Sequence, residues 1–197
     1  MRFVPLTQAS PAIQSAVRVL RNQEDVRKFM YTSHEISPQE HEAWISSLAG
    51  DARRSVFVAM FDCELAGVVS LSAINATQKT ADWAFYLDAR LQGKGLGSQV
   101  EFWLLDHAFN EAGLEKLNCE VLETNPTVVK MHQKFGFRVE GVRRKNIVKD
   151  GVRVDVVLLG ITREEWLERR PLIEPAIMRA SVLNAGTSRS PDIRTGG

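Results

Sequence analysis

Apolar and polar residues follow two alternating periods along this chain, and each change of period marks an element boundary. Phe3–Leu6 reads as a short strand. Ala12–Leu20 and Gln23–Met30 carry helical spacing and are separated by a break at Arg21-Asn22. Ser37-Pro38-Gln39-Glu40 has the form of a helix start. Ser37 is placed to cap, Pro38 suits the first helical position, and Glu40 can reach back to the cap. That helix is expected to run to about Ala49. Ser55–Phe61 and Leu65–Ile74 are strands joined by a tight turn at Asp62-Cys63-Glu64, and Thr80–Leu87 is the next strand. From Leu96 to Ala112 a long helix carries Leu96, Val100, Trp103, Leu104 and Ala108 on one side and Phe102, Leu105 and Phe109 on another, so it should pack on more than one neighbour. Lys116–Thr124 is a strand. Pro126–Phe135 is a helix with Asn125 at its cap and Gly136 at its end. Phe137–Val148 and Val152–Ile161 form a hairpin about Lys149-Asp150-Gly151, where Asp-Gly favours the positive φ the turn needs.

This order predicts a mixed α/β fold built around one sheet. Hydrophobic residues at 44% and charged residues at 25% are those of an ordinary soluble globular protein, and 197 residues suffice for one domain with a sizeable core. From about Pro171 the apolar period fades, and Asn184–Gly197 is rich in Gly, Ser, Thr and Pro. Residues 1–168 are therefore expected to form the domain and 169–197 a largely flexible tail, with Ile173–Leu183 as a short helix candidate. A net charge of +1 gives no reason to expect nucleic acid or an acidic membrane surface. No apolar run approaches the roughly 20 residues needed to span a bilayer, and no export signal is apparent, so cytoplasmic residence is the expectation. Cys63 and Cys119 imply no disulfide framework: Cys119 fits a buried strand position and Cys63 a turn. His34, His41, His107 and His132 are scattered, and no metal site is expected.

The candidate chemistry begins at Gln92-Gly93-Lys94-Gly95-Leu96-Gly97, between the aromatic strand Trp83-Ala84-Phe85-Tyr86-Leu87 and the long helix. A glycine-rich turn there offers bare N–H groups at the positive end of a helix dipole, which suits a pyrophosphate. It is not a Walker A loop, because Gly-Lys is not followed by Ser or Thr after the four-residue spacer. Nor does its i, i+2, i+4 glycine spacing match the dinucleotide fingerprint. A plain capping turn stays open on these residues alone.

Downstream lies Asn125-Pro126-Thr127-Val128-Val129-Lys130-Met131-His132-Gln133-Lys134-Phe135-Gly136-Phe137. Together, Gln92-x-x-Gly95-x-Gly97 and this asparagine–helix–Gly-Phe segment resemble the two cofactor motifs of the GCN5-related N-acetyltransferase (GNAT) superfamily, over roughly residues 1–165. The resemblance implies a mixed, mostly antiparallel sheet of about seven strands, flanked by helices, whose fourth and fifth strands splay apart. It implies acetyl-CoA as co-substrate, its pantetheine paired with backbone near Phe85–Leu87 as an added strand would be. The cofactor-side residues it implies are Phe85, Leu87, Gln92, Gly93, Lys94, Gly95, Leu96, Gly97, Ser98, Asn125 and Lys130. Asn125 could instead only cap its helix, and capping is the expectation kept.

Leu20-Arg21-Asn22, Val26–Tyr31, Ile36-Ser37, His41 and Val139-Glu140-Gly141 further resemble a narrower branch, the nucleotide-sugar N-acetyltransferases of pseudaminic acid biosynthesis. That branch acetylates the 4-amino group of UDP-4-amino-4,6-dideoxy-N-acetyl-β-L-altrosamine. It implies a UDP-amino-sugar partner and names Arg21, Met30, Tyr31, His41 and Tyr86 as acceptor-side residues. Arginine can pair with the phosphates in forked geometry, and Tyr31 can stack on uracil or sugar. Each has a plainer alternative: Arg21 satisfying a helix end, Met30 and Tyr31 plugging the core, His41 packing beside Trp44, Ile45 and Leu48. A homodimer is left open.

The implied reaction is aminolysis of a thioester by direct attack in a ternary complex. The amine must be neutral, the developing oxyanion needs donors, and the thiolate leaves. Where the superfamily often places an acidic tyrosine, this chain has His132. A histidine, with an ordinary pKa of about 6.5, can give a proton near neutrality; the other reading is a space-filler. Glu123 could take the amine proton, or be a carboxylate bonded to backbone. Two other functions compete: acetylation of a protein N-terminus or small amine, and a non-catalytic acyl-CoA-binding module. Acidic clusters would favour polyamines, whereas Arg21, Arg27 and Lys28 suit phosphate.

Overall fold

The turn signals read from the sequence sit at element boundaries in the structure, a computed structural model that describes residues 1–91 and 93–187. The elements are β1 (Arg2–Pro5), α1 (Pro11–Asn22), α2 (Glu24–Arg27), α3 (Pro38–Leu48), β2 (Ser55–Phe61), β3 (Glu64–Asn75), β4 (Thr80–Leu87), α4 (Leu96–Asp106), β5 (Lys116–Leu122), α5 (Pro126–Phe135), β6 (Arg138–Lys149), β7 (Val152–Thr162) and α6 (Arg163–Thr187). Ser37 and Glu40 form a reciprocal capping box on α3, with Glu40 N–H donating to Ser37 Oγ at 3.2 Å and Ser37 N–H to Glu40 Oε2 at 2.8 Å. Gly136 ends α5 at φ 108°, a conformation that a side chain would strain. The long helix ends sooner than expected: regular α4 stops at Asp106, and His107–Glu111 closes it in a wider turn, with Ala112 N–H reaching His107 O at 2.9 Å.

The sheet has seven strands in the order β1-β2-β3-β4-β5-β7-β6, antiparallel except between β4 and β5. Strand alternation sends successive side chains to opposite faces. Phe57 and Ala59 of β2 join the main core with α4, α5 and α6, while Val58 and Met60 join a second core with Val17 of α1 and Leu48 of α3. Helices therefore cover both faces of the sheet, as the two-sided apolar pattern of the central strands requires.

The C-terminal segment departs from expectation. The fading period after Pro171 suggested a largely flexible tail from residue 169 with a short helix at Ile173–Leu183; that helix is present, but as part of α6, which runs unbroken to Thr187 with Pro171 and Pro175 inside it. Its register is set by tertiary packing: Trp166, Ile173 and Ile177 are buried in the main core, and Leu167, Leu172, Met178 and Val182 are exposed. Asp106 at the end of α4 anchors it, accepting from Trp166 Nε1 at 3.0 Å and from Arg170 Nε and Nη2 at 2.8 and 2.9 Å. Trp166 and Ile173 lie in one cluster, so packing draws no boundary at residue 168. The expected mobile end at 188–197 lies outside the described residues.

Candidate functional site

The parallel strands β4 and β5 pair at only three positions, Thr80 with Lys116, Ala81 with Leu117 and Asp82 with Asn118. Beyond them β4 continues to Leu87 and β5 to Leu122, each bonded on its outer side, β4 to β3 and β5 to β7. Two strand edges thus face one another across a notch in the sheet and offer main-chain donors and acceptors to an extended ligand. Phe85 and Leu87 pack with the main core on the α4 and α5 side, and Tyr86 packs with the other. Gly67 lets β3 approach this end of β4: a Cβ there would overlap Tyr86 O and Leu87 Cδ2.

The glycine turn opens at the head of the notch. Gly93 and Gly95 have φ of 79° and 71°, in the left-handed region that costs a side chain strain. Gly95 is the N-cap of α4 and has no side chain with which to cap it, and the first turn carries no acidic residue. The N–H groups of Leu96, Gly97 and Ser98 are therefore first-turn donors without a cap at the positive end of the dipole. The third glycine lies where three elements meet. A Cβ on Gly97 would stand 3.4 Å from Met131 Sδ and 3.8 Å from Leu87 Cδ1, so α4, α5 and β4 converge here. This cradle fits a pyrophosphate, and the notch beside it fits a strand-like arm. Lys94 and Lys130 are exposed at its flanks. Gln92 lies outside the described residues. Helix α6 also reaches the turn, with Ala180 Cβ 3.7 Å from where a Cβ of Gly95 would be.

His132 projects from α5 into the wall of the main core and is only 2% exposed. Its ring lies edge-on to Trp83 at 5.0 Å and near Phe137 at 5.3 Å and Phe85 at 6.2 Å between centroids. Its Nδ1 is 2.9 Å from Glu101 Oε1. Glu101 comes from α4 and is fully buried, and its Oε2 has no hydrogen-bond partner. Burial raises the Glu101 carboxyl above the ordinary carboxylate range, and His132 pulls it partly back. Sequence reasoning missed Glu101. The available signal was a lone carboxylate in the apolar run Val100-Glu101-Phe102, on a helix with no polar face to spare for it.

On the other side of β4, Arg21 and Tyr86 are brought together. Burial is the main influence on both, lowering the Arg21 guanidinium and raising the Tyr86 phenol, and each group partly offsets the other's shift. Arg21 Nη2 donates to Thr32 Oγ1 at 3.0 Å, and its Nη1 is buried with no hydrogen-bond partner. Tyr31 O–H donates to Glu120 Oε2 on β5, beyond the last β4–β5 pair, and Arg143 holds Glu120 Oε1. Burial and then Glu120 raise the Tyr31 phenol. Lys149, at the end of β6, donates from Nζ to Arg27 O at 3.0 Å, Met30 O at 2.8 Å and Ser33 Oγ at 2.9 Å. Glu120, Arg143 and Lys149 were not singled out in the sequence, because they reach this segment only through the sheet.

The geometry bears on three expected roles. His41 does not join the acceptor group: it is buried beside Trp44, and its Nε2 is 2.7 Å from Gln14 O, pinning α3 to α1. Glu123 accepts on Oε1 from Asp155 N–H at 3.0 Å, which ties the end of β5 to β7 and matches the backbone-bonded reading that stood beside that of a base. Asn125 makes no side-chain cap bond on α5, so the capping role does not hold and its amide is left for the notch. Cys119 is a buried thiol in β5, pushed up by burial. Among the described residues no group of three or more His, Cys, Asp or Glu is placed to hold a metal ion, and no helix is long and apolar enough to cross a membrane.

Comparison with known proteins agrees with this architecture. The probable N-acetyltransferase YjcK of Bacillus subtilis is 34% identical over 101 residues, 51% of this chain and 56% of that protein. Spermidine N(1)-acetyltransferase of Escherichia coli is 29% identical over 111 residues, 56% of this chain and 60% of its own length. Acetyltransferase PseH of Campylobacter jejuni is 26% identical over 119 residues, 60% of this chain and 73% of that one. The chain thus spans little more than half the length of the first two relatives. The crystal structure of spermidine N-acetyltransferase from Vibrio cholerae in complex with CoA and spermine shares the fold, with a TM-score of 0.78 at 22% identity over 84% of this chain and 97% of that one. The model of the acetyltransferase (GNAT) domain matches residues 1–138, well over half of the sequence, and the chain belongs to that family.

Proposed function

We propose that this chain is an acetyl-CoA-dependent N-acetyltransferase that acetylates the 4-amino group of a UDP-linked 4-amino-4,6-dideoxy sugar by direct attack. One observation carries the reading: an uncapped glycine turn at the start of α4 stands beside the three-pair notch between β4 and β5, with His132 buried near Trp83 and Phe85 of β4. Bound acetyl-CoA supplies an activated acyl carbon and a thiol leaving group. The N–H groups at Gly93–Ser98 hold the pyrophosphate, Lys94 and Lys130 add charge at its flanks, and the edge of β4 at Phe85–Leu87 orients the arm. Asn125 bonds the cofactor at the far wall. Much of the rate then comes from holding the two substrates in register. His132 keeps a proton within the aromatic wall for the departing sulfur.

Arg21 supports the nucleotide-sugar acceptor. Its Nη1 lacks a partner beside Tyr86, and a guanidinium with a spare edge suits a phosphate oxygen. Met30 and Tyr31 would flank the sugar and base. The competing acceptor is a polyamine, favoured by the spermidine acetyltransferases among the relatives. Against it, Glu120, the carboxylate on β5, is already matched by Arg143 and Tyr31.

A thermal-shift panel separates the two. A ligand at 100 times its Kd stabilises by about 2.7 kcal/mol. Acetyl-CoA and a UDP-amino sugar are each expected to raise Tm, and spermidine to leave it unmoved. A shift with acetyl-CoA and spermidine but none with UDP or UDP-sugars would transfer the assignment to a polyamine. No shift with acetyl-CoA would remove the enzyme reading altogether.

A further inference from the structure

One buried polar contact beside β4 has no part yet in the proposed reaction. His132 Nδ1 and Glu101 Oε1 are 2.9 Å apart, with ring and carboxyl only 3% and 0% exposed. A carboxylate removed this completely from water is costly unless something holds it there. Its second oxygen has no partner, so the imidazole is the group that fixes its position.

We propose that Glu101 is the positioning residue for His132, binding Nδ1 so that Nε2 is the nitrogen that exchanges a proton with substrate. This rests on the acetyltransferase reading and deepens it. The pair holds two protons or one. With two, either Glu101 is ionised and the imidazole doubly protonated, or Glu101 is protonated and donates to Nδ1. In both arrangements Nε2 carries hydrogen, so the pair acts as an acid whichever partner holds the charge. With one, the proton lies on Nδ1 facing Glu101, and Nε2 is a base.

The step balances. The amine nitrogen bonds to the acyl carbon, and the carbon–sulfur bond breaks with its electron pair going to sulfur. Nε2 gives its proton to sulfur, and the proton shed by the new amide nitrogen restores the pair. No electron is gained or lost, and no further reactant is needed. A phenolic acid in this position would need no such partner, because it has one ionisable oxygen. An imidazole has two nitrogens and must have one occupied to fix which is the donor.

Glu101 is the charged side chain in contact with the His132 ring. Trp83 and Phe85 of β4 and Phe137 carry no charge. Cys119 of β5 is held as a thiol, by burial first and then by Glu101, with Asp82 and Glu120 adding to the same shift. On α5 itself Lys130 and Lys134 are exposed, and Arg169 of α6 is bonded to Lys134 O at 2.9 Å.

The test is Glu101→Gln in the full chain, read in two ways. In nitrogen-15 spectra of histidine-labelled protein, with the His132 signals assigned by their loss in His132→Phe, the imidazole titration should move to lower pH by about one unit or more, because the adjacent anion is gone. In kinetics, kcat should fall about tenfold or more with KM for acetyl-CoA within about twofold, and the alkaline limb of the kcat profile should move down with the imidazole. In the His132→Phe background, Glu101→Gln should change kcat no further. If Glu101→Gln does not fold, Glu101→Leu carries the same comparison, since an apolar isostere removes the buried charge. An unmoved imidazole titration overturns the pairing. A moved titration with kcat effects that simply add to those of His132→Phe overturns its catalytic use. A moved titration in a protein that acetylates no amine keeps the pair and removes the acetyltransferase reading.

Discussion

His132→Phe is expected to lower kcat about 100-fold or more while leaving KM for acetyl-CoA nearly unchanged. Phenylalanine keeps the ring that packs edge-on to Trp83 at 5.0 Å and tilted to Phe137 at 5.3 Å. It removes only the proton-carrying nitrogens. The proposed pyrophosphate cradle is the start of α4 and the proposed edge for the arm is the main chain of β4, neither of which uses the imidazole, so ground-state binding should survive. The size of the effect follows from the leaving group. A thiol with an ordinary pKa of about 8.5 departs partly unaided, so the loss should stay well short of the full rate enhancement. His132→Tyr should recover part of the rate with a weaker pH dependence, because a phenol holds its proton far above neutrality. Flat kcat between pH 6 and 9 in the parent enzyme, or an unaltered kcat in His132→Phe, would make the ring a space-filler. Glu101 would then be left as a buried carboxyl paired for no catalytic reason.

Trp166→Ala is expected to be the most destabilising single change, costing about 3–5 kcal/mol. The indole is fully buried and stacks with Phe135 at 6.3 Å and edge-on to Phe102 at 5.4 Å. Its Nε1–H also satisfies Asp106, which is shared with Arg170. Truncation opens a large cavity and removes one donor from a half-buried carboxylate. Chemical denaturation at constant m should show the lost stability as a lower midpoint. A loss under about 1 kcal/mol would mean that α6 is an ornament on a core complete without it. The predicted result places the helix inside the cooperative unit, although it lies beyond the 1–138 span matched by the family domain.

The legibility of the chain divides along the range of the interactions. Strand limits such as Ser55–Phe61 and Thr80–Leu87 were readable because alternation and turn residues are properties of adjacent positions. So was the glycine turn, whose positive φ values at Gly93 and Gly95 are demanded by a few consecutive residues. Helix α6 was readable only in its middle, as the Ile173–Leu183 candidate: Pro171 and Pro175 are local signals against a longer helix, and what overrides them is Trp166, Ile173 and Ile177 meeting side chains from distant segments. Glu101 stood out only as a carboxylate in an apolar run, and its partner could not be read, since that is His132, 31 positions away. Glu123 and Asn125 show the converse. Their residue types suggested a base and a cap, and the folded backbone assigns the first to Asp155 and leaves the second uncapped.

Lys149 gives the proposed acceptor segment a particular kind of heredity. Helix α2 has four residues, too few to persist on its own account. The carbonyls of Arg27 and Met30 at its end are met by an ammonium more than 100 positions later in the chain. Tyr31, on the same loop, is tethered to Glu120 and through it to Arg143. The shape presented by residues 21–41 is thus partly written in the β6–β7 hairpin. Grafting that N-terminal segment alone onto a relative would carry the side chains across and leave behind the clasp that gives them their arrangement. If residues 21–41 recognise the acceptor as proposed, acceptor preference is inherited as a matched pair of segments, and a change in either one alone should erode it.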